Sequence, residues 1–355
     1  MSDAVPLRQK AVVVTEAGKV TVVEVDVPVP GPEQVLVKVV AAALNHCDWK
    51  TVATVKAAGA ILGSDFSGTV VKIGSEVPEG QRYIGERVAG FVHGGISPNG
   101  AFSEYVVADA YTIVPLPSSL SFETGAQLGI CPFGAAQALY TTHELPITSP
   151  KCHEKQSLLV FAGATCAGQF VIQLAKMGGL RVIACGSPKS FDLMRKLGAD
   201  EVYDYSAPYM CISVKQATKG ELKYAVDCLG ERHSPKQVAW SLGDSGGIVA
   251  SIQSYRSPRP GVEVKPSTPF ALLPGNFEFP MPHKSNKADI ERGRLYAAKW
   301  SEILASGKIH LPPIEVLPQG LASVEMGLEL LMEGKALDTK LVIRVADTPD
   351  LSPLD

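Results

Sequence analysis

The stretch from Leu158 to Lys176 constrains the fold more than any other part of the chain. The apolar run Leu158–Phe161 leads into Ala162-Gly163-Ala164-Thr165-Cys166-Ala167-Gly168 and then Gln169-Phe170-Val171-Ile172-Gln173-Leu174-Ala175-Lys176. That is a short strand, a turn of small residues and a helix. Small residues let backbone N–H groups approach a pyrophosphate at the helix N-terminus, where the dipole favours anions. The turn keeps Gly163 and Gly168 of a GxGxxG pattern, with Ala or Thr elsewhere. Alone, it suits an ordinary strand-to-helix connection as well as a dinucleotide site.

The segments that follow decide between those alternatives. Strands are expected at Arg181–Ala184, Glu201–Tyr203, Tyr224–Asp227 and Ile248–Ile252, with helices over 166–177 and 190–197. Apolar runs too short for helices, alternating with helical stretches, are the sequence form of βαβ units around a parallel sheet. At this spacing the turn reads as a dinucleotide site. Before Leu158 the texture differs. Short β-branched runs punctuated by Gly and Pro predict strands at Ala11–Val14, Val20–Val25, Val35–Ala42, Gly68–Ile73, Arg87–Val92 and Ala101–Val107. Residues 124–142 form a charge-free run expected to be a buried helix and loop. Between Pro258 and Pro282 seven prolines predict an irregular loop, because proline removes a donor and fixes φ. Helices over 290–304 and 324–332 and a strand over 340–345 close the chain, the strand returning to the N-terminal β-rich half.

A chain of 355 residues suffices for about two domains without disulfides or structural metal. With 46% hydrophobic and 19% charged residues it is too apolar for disorder, and it has no unbroken apolar span long enough for a membrane. Lys and Arg number 33 against 36 Asp and Glu, which argues against a nucleic-acid partner. Seven scattered cysteines, with no signal pattern over residues 1–10, point to free thiols in a cytoplasmic setting. Cys152-His153 reads as part of a solvated linker.

Cofactor choice is expected at the tip of the second strand. An NAD site places Asp or Glu there to hold the ribose 2′-hydroxyl. Here the tip reads Ala184-Cys185-Gly186-Ser187-Pro188-Lys189-Ser190. Two hydroxyls and an ammonium, with no carboxylate to repel it, suit a 2′-phosphate, so NADPH is the expected cofactor.

Several blocks together resemble the medium-chain dehydrogenase/reductase superfamily: Asn45-x-x-Asp48-x-Lys50, Leu62–Gly68, the phosphate turn, Leu197–Val202 and Lys340-Leu341-Val342. Within it the chain is similar to the zinc-independent quinone-oxidoreductase-like branch, above all to the fungal trans-acting enoyl reductases that partner polyketide synthases. Ser187-Pro188-x-x-Phe191-Asp192-Leu193 and Asp204-Tyr205-x-Ala207-Pro208 carry that likeness. The resemblance implies an α/β protein, with a discontinuous GroES-like β-rich catalytic domain over residues 1–125 and 286–355. A Rossmann domain, a doubly wound parallel sheet over 126–285, would bind NADPH, with the active site between the two.

The resemblance also implies roles. Cys47, Asp48, Trp49 and Lys50 would approach the cofactor from the catalytic domain, and Ala164, Thr165, Cys166 and Ala167 would hold the pyrophosphate. Ser187, Pro188, Lys189, Ser190 and Tyr205 would surround the adenosine 2′-phosphate. Ile252 and Gln253 would lie near the nicotinamide, with Ala336 and Leu337 closing over it. Phe133, Gly134, Ala135 and Tyr140 are the expected substrate contacts; Phe133-Gly134 stands where the family often has Ser or Thr. Zinc-dependent members carry Cys and His at the positions of Cys47 and Ser64. A serine does not replace imidazole as a zinc ligand, so no metal is expected.

Reducing an enoyl thioester needs hydride at the β-carbon, stabilisation of the enolate and a proton at the α-carbon. Lys50 is the candidate catalytic donor; an ion pair with Asp48 or Asp65, or a contact to the nicotinamide ribose, is its alternative role, with water then the proton source. The expected partner is the acyl carrier domain of a polyketide synthase. A quinone or free enone reductase, and a non-catalytic NADPH-binding sensor or partner protein, fit the same residues. Prolines after Ile252 are expected to block sheet-edge pairing and leave a monomer. The segment Arg256–Lys299, with eight Lys or Arg against four acids, is a candidate docking face for an acidic carrier.

Overall fold

A computed structural model describes residues 5–145 and 156–351. Cys152-His153 lies outside them. The chain divides into two compact units, one of Met1–Ile130, Phe270–Lys308 and Pro313–Asp355, the other of Cys131–Pro269 and Ile309–Pro312.

In chain order the first unit contains β1 (Arg8–Val14), β2 (Val20–Asp26), β3 (Gln34–Ala43), α1 (His46–Thr54), β4 (Asp65–Ile73), β5 (Arg87–Phe91), β6 (Tyr105–Asp109), β7 (Val114–Pro115) and α2 (Phe122–Gly125). The second unit begins at Cys131 within the helix α3 (Ile130–Ala136), which continues as a π-helical turn, Gln137–Thr142. Then follow β8 (Ser157–Phe161), α4 (Cys166–Met177), β9 (Arg181–Gly186), α5 (Phe191–Lys196), β10 (Glu201–Asp204), α6 (Met210–Ala217), β11 (Tyr224–Asp227), α7 (Ser234–Ser241), β12 (Gly247–Ser251) and β13 (Val262–Pro266). The first unit resumes with α8 (Lys287–Ala305), β14 (Ile314–Leu317), α9 (Val324–Met332) and β15 (Lys340–Arg344).

In the first unit β1 and β2 form an antiparallel hairpin, and a larger sheet runs β14-β15-β3-β4-β5-β7, with β6 also on β3. The β-branched strand β3 holds this sheet together by pairing antiparallel with β4, β6 and β15. Val342 faces Ala43 and Arg344 faces Ala41, so the C-terminal strand returns to the N-terminal sheet as its sequence suggests. Val37, Phe66, Val88, Phe102 and Leu341 fill the core.

The second unit is a single sheet in the order β10-β9-β8-β11-β12-β13, every neighbouring pair parallel. Counted from β8 this is the doubly wound order of a Rossmann sheet, reversing direction between β8 and β11. Its central strands are apolar along their whole length because helices cover both faces of such a sheet. Leu158, Leu159, Val160 and Phe161 are all fully buried.

Three expectations differ from the structure. The strand placed at 101–107 is Tyr105–Asp109, because Phe102 and Ser103 are occupied by β1, Val12 N–H bonding to Phe102 carbonyl and Ala11 bridging Ser103. The proline-rich stretch contains β13, since its central residues, Val262-Glu263-Val264, carry no proline and can pair with β12. Finally, residues 270–285 cluster with the first unit. There the Phe270 ring stacks on His93 at 3.9 Å, and Phe277 meets His93 edge-on at 4.9 Å.

Candidate active site

At the carboxyl end of β8 the turn is shaped for close approach. Ala162 adopts a positive φ of 58°. Thr165 caps α4, its hydroxyl oxygen accepting from Gly168 N–H at 3.2 Å while its proton goes to Ala162 carbonyl at 2.8 Å. A Cβ on Gly168 would lie 2.6 Å from the Ala162 oxygen and 2.7 Å from Gly163 Cα, so only glycine permits this helix start. Ala164, Thr165, Cys166 and Ala167 remain partly exposed at the N-terminus of α4, beside the reversal point of the sheet. Open α/β sheets take their ligands there.

The tip of β9 follows. Ser187 and Ser190 hydroxyls lie 3.3 Å apart, around the exposed Pro188 and Lys189. Tyr205, just past β10, stacks on His233 with 5.6 Å between centroids. Asp204, the last residue of β10, is turned to Ser206 by bonds to its N–H and hydroxyl.

In the first unit a buried polar cluster surrounds the start of α1. Asp48 accepts the Asn45 backbone N–H at 2.7 Å and the Ser64 hydroxyl at 3.1 Å. Burial is the main cause that pushes the Asp48 carboxyl up to about 7; the nearby Asp65 charge adds to it, while the Asn45 N–H, Lys340 and Ser64 oppose it. Asp65, fully buried, takes the Ile130 N–H at 2.7 Å and pairs with Lys340 at 3.1 Å. Lys340 also donates to the Asn45 side chain. Burial, with the Asp48 and Asp65 charges, pushes the Cys47 thiol up as well. The partner of Asp65 is therefore Lys340, and the Lys50 ammonium sits 5.4 Å from the Trp49 ring.

The family models for the alcohol dehydrogenase GroES-like domain and the zinc-binding dehydrogenase match residues 31–118 and 166–265. Trans-enoyl reductase caaB of Aspergillus niger is 35% identical over 369 residues, covering 97% of this chain and 99% of its own. The chain belongs to the medium-chain dehydrogenase/reductase superfamily, among the fungal trans-enoyl reductases. It is an oxidoreductase that acts as an enoyl reductase. The CurK enoyl reductase structure shares its fold with a TM-score of 0.74 at 17% identity, over 96% of this chain and 99% of that one. A quinone oxidoreductase of Pseudomonas syringae does so with 0.74 at 24%, over 94% and 99%.

In this enoyl reductase the remaining expected residues fall in two groups. Ala336 is buried and Leu337 is 43% exposed, three residues before Lys340. Ile252 is 44% exposed at the end of β12, and the Gln253 amide is bound to Leu229 carbonyl and Glu231. Phe133 and Ala135 are buried, whereas Gly134, whose carbonyl accepts from Ser267, and Tyr140 are partly exposed. Among the described residues no three His, Cys, Asp or Glu side chains are grouped to hold a metal ion, and no helix is long and apolar enough to cross a membrane.

Sequence reasoning assigned no role to the network of Asn45, Ser64, Asp65 and Lys340. Its signal was present, because all four lie inside the quoted family blocks, yet only the fold brings positions 45 and 340 together.

Proposed function

We propose that this enoyl reductase acts in trans, with NADPH, on α,β-unsaturated thioesters of polyketide intermediates borne by a synthase's acyl carrier domain. One observation carries the cofactor choice: the tip of β9 offers Ser187, Lys189 and Ser190 where an NAD site has a carboxylate. The Gly168 cradle and the partly exposed α4 N-terminus suit the pyrophosphate. The relatives' names, trans-enoyl reductases, support an enoyl substrate and action in trans; the polyketide thioester and the synthase rest on the sequence resemblance.

When bound, the nicotinamide supplies the hydride for the β-carbon. The chain's own work is to orient the thioester, offer a donor to its oxygen as enolate charge develops, and admit a proton at the α-carbon. Lys50 is our candidate for the donor, on the helix whose start the Asp48 cluster fixes. Cys47, Asp48, Trp49, Ile252, Gln253, Ala336 and Leu337 would line the cofactor, and Phe133, Gly134, Ala135 and Tyr140 the substrate. No metal is required.

The basic segment 256–299 is not our choice of docking face. It splits at 269/270 between the two units, and Arg259 is buried on the Ala239, Leu242 and Gly243 carbonyls. We also propose a monomer, on a new ground: the sheet ends at β13, whose short edge carries Glu263, Lys265 and Pro266. Light scattering should return about 37.6 kDa; twice that mass at micromolar concentration would contradict it.

The functional test follows NADPH oxidation with an enoyl thioester, a quinone and no acceptor. Turnover fastest on the thioester is expected. Turnover on quinone alone would favour a quinone reductase, and cofactor binding without turnover a sensor.

A further inference from the structure

We propose that Lys340 is a positioning residue for reduction: its buried ammonium ties the start of α1, which bears Cys47, Asp48, Trp49 and Lys50, to the segment carrying Ala336 and Leu337. Resting on the proposed function, this adds a residue to which no role in the reaction was assigned.

The geometry is specific. The Lys340 and Asp65 side chains are 4% and 0% exposed. The Lys340 ammonium reaches two elements far apart in sequence, Asp65 at the start of β4 and the side chain of Asn45, the residue that precedes α1. A backbone bond from Leu44 N–H to Leu341 carbonyl, 2.9 Å, holds the same two segments in register. Asp65 is itself fixed by Ile130 N–H. Asn45 caps α1 in a reciprocal box with Asp48, and its side-chain oxygen also takes the Lys340 ammonium, so Lys340 joins the cap of α1 to β15 and β4. The ammonium also faces the Asp48 carboxylate, together with Asp65, Cys47 and Ser64, and favours its charged form.

A structural ion pair alone would make the same contacts, and substitution separates the two roles. Removing one partner leaves a buried charge uncompensated, whereas removing both is often neutral for stability. Lys340→Met should melt lower, exchange the α1 amides faster, and reduce enoyl thioester with kcat down roughly tenfold or more. The acid limb of its kcat/KM should move up by about one pH unit, since Asp48 loses a favourable charge. In Lys340→Met/Asp65→Asn the melting temperature and the acid limb should return towards wild type, because the two charges act on Asp48 in opposite senses. Exchange in α1 should stay fast and kcat low, because the bond from Lys340 to the α1 cap is still missing. Recovery of kcat and of α1 protection in the double variant would overturn the proposal and leave Lys340 a stabilising ion pair. Exchange is read without substrate, and failure of the functional proposal would appear separately, as wild-type protein that does not reduce the thioester.

Discussion

Ser64 donates its hydroxyl to the Asp48 carboxylate at 3.1 Å, in a site where neither side chain reaches solvent. The carboxyl it meets is held up at about 7, above the ordinary value of 3.8, chiefly by burial. A proton shared between folding and pH follows from that pair. The folded protein keeps a proton on Asp48 that the unfolded chain releases, so this group's contribution to stability is full below about pH 4 and declines as pH rises to about 7.

Asp48→Asn should therefore gain on wild type as pH rises from 5 to 7.5, by at most about 2.5 kcal/mol in the urea-unfolding free energy. His93 and His143, lowered to about 4 by burial, act in the opposite sense in both proteins, and the difference between the two curves cancels them. Parallel curves would contradict the buried-carboxyl assignment.

Ser64 also bears on metal. By the sequence resemblance it takes the position where zinc-dependent members carry imidazole, and its hydroxyl is committed to Asp48. Activity should be unchanged by a strong chelator, with no stoichiometric zinc in elemental analysis. One tightly held zinc per chain would contradict this.

At the nucleotide end, the Ser187→Ala/Lys189→Ala variant should lose two charge-assisted hydrogen bonds of about 1.5–3 kcal/mol each. NADPH affinity should fall roughly 10²-fold or more, with NADH affinity little changed. Fluorescence titration measures both, and equal affinity of wild type for the two cofactors would contradict the 2′-phosphate site.

Much of this was legible before the fold was seen, and for local reasons. Leu158–Phe161 and Cys166–Met177 announce themselves because a central parallel strand must be apolar on both faces and a phosphate turn must be small. β13 was hidden because its proline-flanked sequence argues for a loop, and only the neighbouring β12 supplies the ladder that makes it a strand. The Asn45, Asp65 and Lys340 cluster was hidden for a different reason. Its members are ordinary polar residues until the antiparallel pairing of β15 with β3 buries them together.

The central claim, that hydride reaches the β-carbon of a carrier-bound enoyl thioester, is tested most directly by isotope transfer. NADPH deuterated at the hydride position is incubated with the enzyme and an α,β-unsaturated acyl chain on a carrier protein, and the released acyl chain is sequenced by mass spectrometry. The account predicts a saturated chain with one deuterium on its β-carbon and one NADPH consumed per chain. An unreduced chain, or NADPH consumed only as a quinone added as competitor is reduced to hydroquinone, would contradict it.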